Sequence, residues 1–118
     1  MVTQPTHLYK IVSRQLWAQA QETGVFHGAP IDIADGFIHF STAAQVKETA
    51  AKHFAGQDDL LLVVVDANAL GDKLIYEVSR GGDLFPHLYA PLALSAVLSE
   101  QDMPLDASGH HIFPETLK

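Results

Sequence analysis

Asp35-Gly36-Phe37-Ile38-His39-Phe40-Ser41-Thr42 leads from one periodicity into another, and that change decides the fold class. Over residues 37–41 the side chains alternate. Ile38 and Phe40 point one way and Phe37, His39 and Ser41 the other, as in a short strand with two unlike faces. Thr42-Ala43-Ala44-Gln45 follows at once and fits a capping box, with Thr42 as the cap and Gln45 reaching back to it. Ala43, Val46, Ala50 and Phe54 then recur at helical spacing until Gly56. A strand therefore feeds straight into a helix.

The same unit precedes it. Residues 7–12 read as a strand, Ser13 as an N-cap, and the following helix runs to Thr23 with Gly24 as its stop. Leu16, Trp17 and Ala20 form its apolar stripe, with Trp17 as a core anchor. The stretch 25–35, rich in Gly, Pro and Asp, is expected to be a loop. Downstream, residues 60–66 hold three consecutive valines and read as a central strand covered on both faces. A short turn or helical turn at 67–70 leads to a strand at 73–79 and a hairpin turn, Arg80-Gly81-Gly82-Asp83. Residues 84–89 are extended, and 94–99 form a last strand. Two βα units followed by several strands predict an α+β domain with a mostly antiparallel or mixed sheet and two helices. One domain over residues 1–118 is expected, its core at about 7–99, with the tail 100–118 left unplaced.

Composition narrows the function classes. The chain has 118 residues, no cysteine and a formal charge of −7. Disulfides and thiolate metal sites are excluded, which fits a cytoplasmic protein. No signal peptide is read at the start, and the longest apolar run is too short to span a membrane. The few Lys and Arg residues are scattered, whereas long nucleic acid needs them clustered. A small anionic molecule or nucleotide fits better as a partner, because backbone N–H groups hold phosphate without net positive charge.

Three clusters carry candidate chemistry. His39 and Ser41 share a face at the N-terminus of the second helix, where Thr42 and Gln45 complete an expected anion site. The plainer alternative is that Ser41 and Thr42 only cap the helix and His39 is structural. Phe85, His87 and Tyr89 alternate in Phe85-Pro86-His87-Leu88-Tyr89, giving an aromatic–imidazole–aromatic row able to stack a base or a nicotinamide ring. The alternative makes the rings core. Glu77 stands inside an apolar strand, where a carboxylate needs a partner or a function. An edge strand with Glu77 in water explains it equally. Glu77 and His87 are the candidate catalytic residues; His39, Ser41, Thr42, Gln45, Phe85 and Tyr89 are the candidate ligand-binding residues. Imidazole and carboxylate also suit zinc or iron, so His39, His87 and Glu77 raise a metal-dependent hydrolase as a lesser alternative, but no HxH or HxxxH spacing supports it and no metal ligand is assigned. His110-His111 is too slight a hint to use.

At these clusters the sequence resembles a bacterial and plant family, domain of unknown function 952. The resemblance rests on Leu8-Tyr9-Lys10-Ile11, Trp17, Gly24, the 35–42 stretch, Gln45, Asp66, Glu77 and residues 85–89, in that order. That family is similar in fold to the ADP-ribosyltransferases and most nearly to the RNA 2′-phosphotransferases. The resemblance implies a split sheet with NAD bound in a cleft between two small sheets. It implies further that His39 and Ser41 face the nucleotide and that Glu77 serves as the glutamate that binds a ribose hydroxyl. One departure stands out. The first strand reads Tyr9-Lys10-Ile11-Val12 where the phosphotransferases carry a Tyr-His-Gly-Thr type motif, so Lys10 occupies the histidine's place. NAD is the cofactor implied, as substrate of a transferase or as ligand of a non-catalytic small-anion binding module.

Overall fold

A computed structural model describes residues 6–78 and 82–114. In chain order the elements are β1 (His7–Ser13), α1 (Arg14–Thr23), β2 (Val25–Phe26), α2 (Pro30–Asp35), β3 (Ile38–His39), α3 (Ala43–His53), β4 (Leu60–Asp66), β5 (Leu74–Val78), β6 (Leu84–Leu88), β7 (Leu92–Ala93) and β8 (Val97–Asp102). Short 3-10 segments, Ala67–Lys73 and Leu94–Ala96, complete the connections. The fold is α+β and every strand pairing is antiparallel.

The strands form a three-stranded sheet in the order β1-β4-β8, a second in the order β3-β6-β5, and a two-stranded ribbon of β2 and β7. The central strand is β4, as its valine run predicts. Leu60 to Val65 are all buried because each face of β4 packs on a separate cluster. Val63 and Val65 join Leu8, Val12, Trp17 and Phe26 on one side. Leu62 and Val64 join Ile11, Val46, Ala50 and Met103 on the other, beneath α3. The two large sheets meet at one bridge, where Tyr9 N–H donates to the Ser41 carbonyl and Ser41 N–H to the Tyr9 carbonyl, both at 2.8 Å. The chain leaves β3 at this bridge, and a cleft opens between the sheets beside it.

Local signals explain the first helix fully. Ser13 Oγ accepts from the Leu16 N–H at 3.1 Å and Gly24 ends the helix in the left-handed conformation. Residues 25–35 depart from the expected loop. Val25–Phe26 pairs with Leu92–Ala93, and Pro30–Asp35 is a third helix, so two helices become three. Pro30 sits at the start, where its missing N–H costs nothing, and Asp32 in the first turn accepts from the Ala29 N–H at 2.7 Å. Six residues are too few for a helical period to show in sequence.

The C-terminal part also differs from expectation. Residues 94–96 form a 3-10 turn, and the last strand starts at Val97 and runs to Asp102. The core therefore does not stop at 99. Met103 is fully buried, Phe113 packs on the α3 cluster, and Leu105 bridges to His111. The β5–β6 pairing is the expected hairpin; of its turn, residues 79–81 lie outside the described residues.

Candidate functional site

Antiparallel register brings the two histidine motifs together. In β3 and β6 Ile38 lies opposite Leu88 and His39 opposite His87, so both imidazoles rise from one face of the sheet. Their ring centroids are 5.4 Å apart with the planes at 71°. Ile38 and Phe40 go to the opposite, buried face, as the alternation requires. Both histidines line one cleft of about 530 Å³, together with Lys10, Ser41, Thr49 and Phe85. Such a volume suits a small-molecule ligand.

His39 is held from both ends. Its Nδ1 lies 2.6 Å from Asp32 Oδ1 and its Nε2 lies 3.0 Å from Asp35 Oδ2. A carboxylate only accepts, so both contacts are hydrogen bonds at once only when the ring carries two protons. Asp32 is buried to 1% exposure behind the cleft and is heavily bonded. It accepts from the backbone N–H groups of Ala29 at 2.7 Å and His39 at 3.1 Å. Lys10 Nζ lies 3.0 Å from Oδ1 and 2.9 Å from Oδ2. Burial alone would raise the Asp32 carboxyl. The His39 hydrogen bond and the charge and hydrogen bond of Lys10 outweigh it, with help from Ala29, and bring it to about 2. Burial acts on Lys10 more strongly than Asp32 does and leaves its ammonium below the ordinary value.

His87 has its own carboxylate. Its Nδ1 donates to Glu77 Oε1 at 2.7 Å, and the Tyr89 hydroxyl donates to the same oxygen at 2.7 Å. These hydrogen bonds, from His87 first and then Tyr89, hold the Glu77 carboxyl below its usual value. The bond to Glu77 also raises the Tyr89 phenol. Phe37 stacks on the His87 ring at 4.0 Å and lies 5.2 Å from the Tyr89 ring, so the imidazole is clamped from one side by an aromatic face.

Of the residues singled out in the sequence, His39, Ser41, Phe85 and His87 line the cleft. Glu77 and Tyr89 do not line it; they act on it through His87. Thr42 and Gln45 turn elsewhere. Thr42 N–H donates to Gln45 Oε1 at 3.0 Å, Gln45 N–H to the Thr42 carbonyl at 3.0 Å, and Gln45 Nε2 to the Leu84 carbonyl at 2.8 Å. They close the helix end as the capping box predicts and tie it to β6, so neither lines the cleft as the expected ligand-binding residue. Asp32, Asp35, Phe37 and Thr49 were not among the expected site residues. Asp35 lies four residues before His39, a spacing that would have signalled a partner on a helix entering the strand. Asp32 carried no signal, because its stretch reads as loop and its partner Lys10 is 22 residues away. Among the described residues no three His, Asp or Glu side chains are grouped so as to hold a metal ion. No helix among them is long and apolar enough to cross a membrane.

The family described as "Protein of unknown function (DUF952)" matches residues 11–100. The crystal structure of protein CC0527 from Caulobacter crescentus is 51% identical in sequence, with a TM-score of 0.87 over 91% of this chain and 94% of that one. The solution NMR structure of CC0527 is 52% identical, with a TM-score of 0.81 over 89% of this chain and 90% of that one. No curated protein matches the chain significantly.

Proposed function

The chain belongs to the DUF952 family of proteins of unknown function, and on that premise we propose that it binds a nucleotide of the NAD class in the cleft between its two sheets, as an ADP-ribosyltransferase-like protein. The observation that carries this reading is the histidine pair. Two imidazoles 5.4 Å apart, each anchored through Nδ1 by a carboxylate, face one small-molecule cleft. Anchoring through Nδ1 leaves Nε2 of His87 with no hydrogen-bond partner among the described residues. That nitrogen is the group for acid or base work on the ligand. Phe85 supplies an apolar wall for a ring.

In a transfer reaction the glycosidic C–N bond breaks and its electron pair leaves with the base. Positive charge then develops on the ribosyl carbon, and an acidic surround favours it. Asp35 in the cleft wall provides that surround, and Glu77 acts on it only through His87. The attacking acceptor loses its proton to His87 Nε2. A second reading, binding without turnover, draws support from the engagement of Glu77, whose Oε1 already accepts from both His87 and Tyr89.

Calorimetric titration with NAD and ADP-ribose, alongside an assay for released nicotinamide, tests both. Binding with turnover supports the transferase, and binding without turnover supports the second reading. Glu77→Gln is expected to leave the melting temperature near that of the parent and to weaken NAD binding roughly tenfold, because a neutral amide oxygen holds the His87 Nδ1–H more weakly than the carboxylate does. Absence of binding at millimolar nucleotide would sink the nucleotide reading altogether.

A further inference from the structure

A count of protons at Ser41 says what kind of group the cleft takes, and this inference deepens the nucleotide reading and rests on it. Thr49 Oγ1 donates to the Gln45 carbonyl at 3.2 Å, a bond in which the carbonyl can only accept. The one hydroxyl proton of Thr49 is then spent. Ser41 Oγ lies 3.0 Å from Thr49 Oγ1, so in that contact Ser41 must donate and Thr49 accept. Ser41 is 4% exposed and lines the cleft. Its proton points to Thr49, and only lone pairs remain for a ligand.

Two neighbouring groups have the same polarity. The Asp35 carboxylate at the cleft wall accepts only. In the neutral His87 ring the proton sits on Nδ1, toward Glu77, and Nε2 carries a lone pair. Two basic groups of the cleft lining are already engaged: Lys10 bonds both oxygens of Asp32, and both nitrogens of His39 meet carboxylates.

We propose that the cleft selects its ligand by hydrogen-bond polarity, presenting acceptors at Ser41 and Asp35 to the hydroxyl donors of a ribosyl group, keeping the His87 lone pair for the proton of the attacking acceptor, and rejecting phosphate at the start of α3. The phosphates of a bound nucleotide lie outside this wall. Thr49 is the residue that sets the polarity, although it need not touch the ligand.

The test uses methyl β-riboside and inorganic phosphate as separate probes, titrated into the parent protein and three variants with amide and side-chain NMR shifts as the readout. The parent is expected to show shifts at Ser41 with the riboside and none with phosphate. Thr49→Val removes the proton sink while keeping the shape, so Ser41 is free to donate. The ratio of phosphate to riboside affinity should rise at least tenfold. Thr49→Ser keeps a hydroxyl on the Gln45 carbonyl and should behave as the parent does, which separates polarity from packing. Ser41→Ala should weaken the riboside alone. Phosphate shifts at Ser41 in the parent, an unchanged ratio in Thr49→Val, or no riboside binding at 50 mM (roughly the weakest affinity such a small probe would have) would each overturn the proposal. NAD that fails to bind while the riboside obeys the polarity rule would instead overturn the nucleotide reading and leave this one standing.

Discussion

Asp32 grips His39 twice: its Oδ1 accepts from the ring Nδ1 at 2.6 Å and from the backbone N–H of the same residue at 3.1 Å. One buried oxygen therefore fixes both the imidazole and the strand that carries it. Lys10 balances the charge from β1. The three residues come from β1, α2 and β3, so the pair of large sheets is stitched together at the site as well as at the Tyr9–Ser41 bridge.

Asp32→Asn should destabilise the protein by about 3–5 kcal/mol, because it leaves the Lys10 ammonium buried without its counter-charge. Combining it with Lys10→Met should restore part of that loss, since no uncompensated charge then remains in the interior. Urea melts of the two variants measure the difference. A double variant less stable than Asp32→Asn alone would show that Lys10 stabilises through packing rather than charge.

Acid should weaken the fold through the same carboxylate. Asp32 falls from an ordinary value of 3.8 to about 2 on folding, so its folded form binds fewer protons than its unfolded form. The resulting stabilisation is complete above about pH 4 and is lost as pH falls through about 2. For a shift of this size the contribution is roughly 2 kcal/mol. Denaturant melts between pH 5 and pH 2 should show this slope in the parent, and a smaller slope in Asp32→Asn.

Gly28→Ala should disturb the site from outside it. Gly28 has φ +120°, and a β-carbon there would stand 2.8 Å from Cβ of Asp32. The substitution adds backbone strain and pushes the carboxylate off Lys10 and His39, at a cost of roughly 1–3 kcal/mol. Gly36→Ala is the control, since Gly36 has φ +89° but open space around the missing side chain. Gly36→Ala should cost about 1 kcal/mol and leave ligand affinity alone, whereas Gly28→Ala should reduce both. Equal effects on affinity would mean that Asp32 does not set the geometry of the cleft.

Much of the architecture is legible because it follows from short-range chemistry. Ser13 and Gly24 delimit α1 through caps that act within a few residues. The valine run of β4 is apolar on both faces because both are covered. The 3-10 turn at 94–96 and the β2–β7 ribbon are another matter. Two residues pairing with two others across the chain leave no periodic trace. The tail offers no readable pattern, because Met103 and Phe113 are single anchors.

The candidate site divides along the same line. The sequence by itself determined the alternation in 37–41 and 84–89, and with it the two histidines, Ser41 and Phe85 on the faces they occupy, since side-chain parity in a strand is a local property. The register between β3 and β6 could not be read locally, yet it sets His39 opposite His87. Nor could the partners of these residues. Asp32 is hidden in an apparent loop, Lys10 looks only like a departure from a motif, and the tie of Gln45 to the Leu84 carbonyl leaves no trace beyond the local capping box. Tertiary structure decided those roles. A buried carboxylate must find its cation and its donors wherever the fold brings them, and here they arrive from 22 residues upstream and 7 downstream. Sequence spacing carries no record of contacts that only chain closure creates.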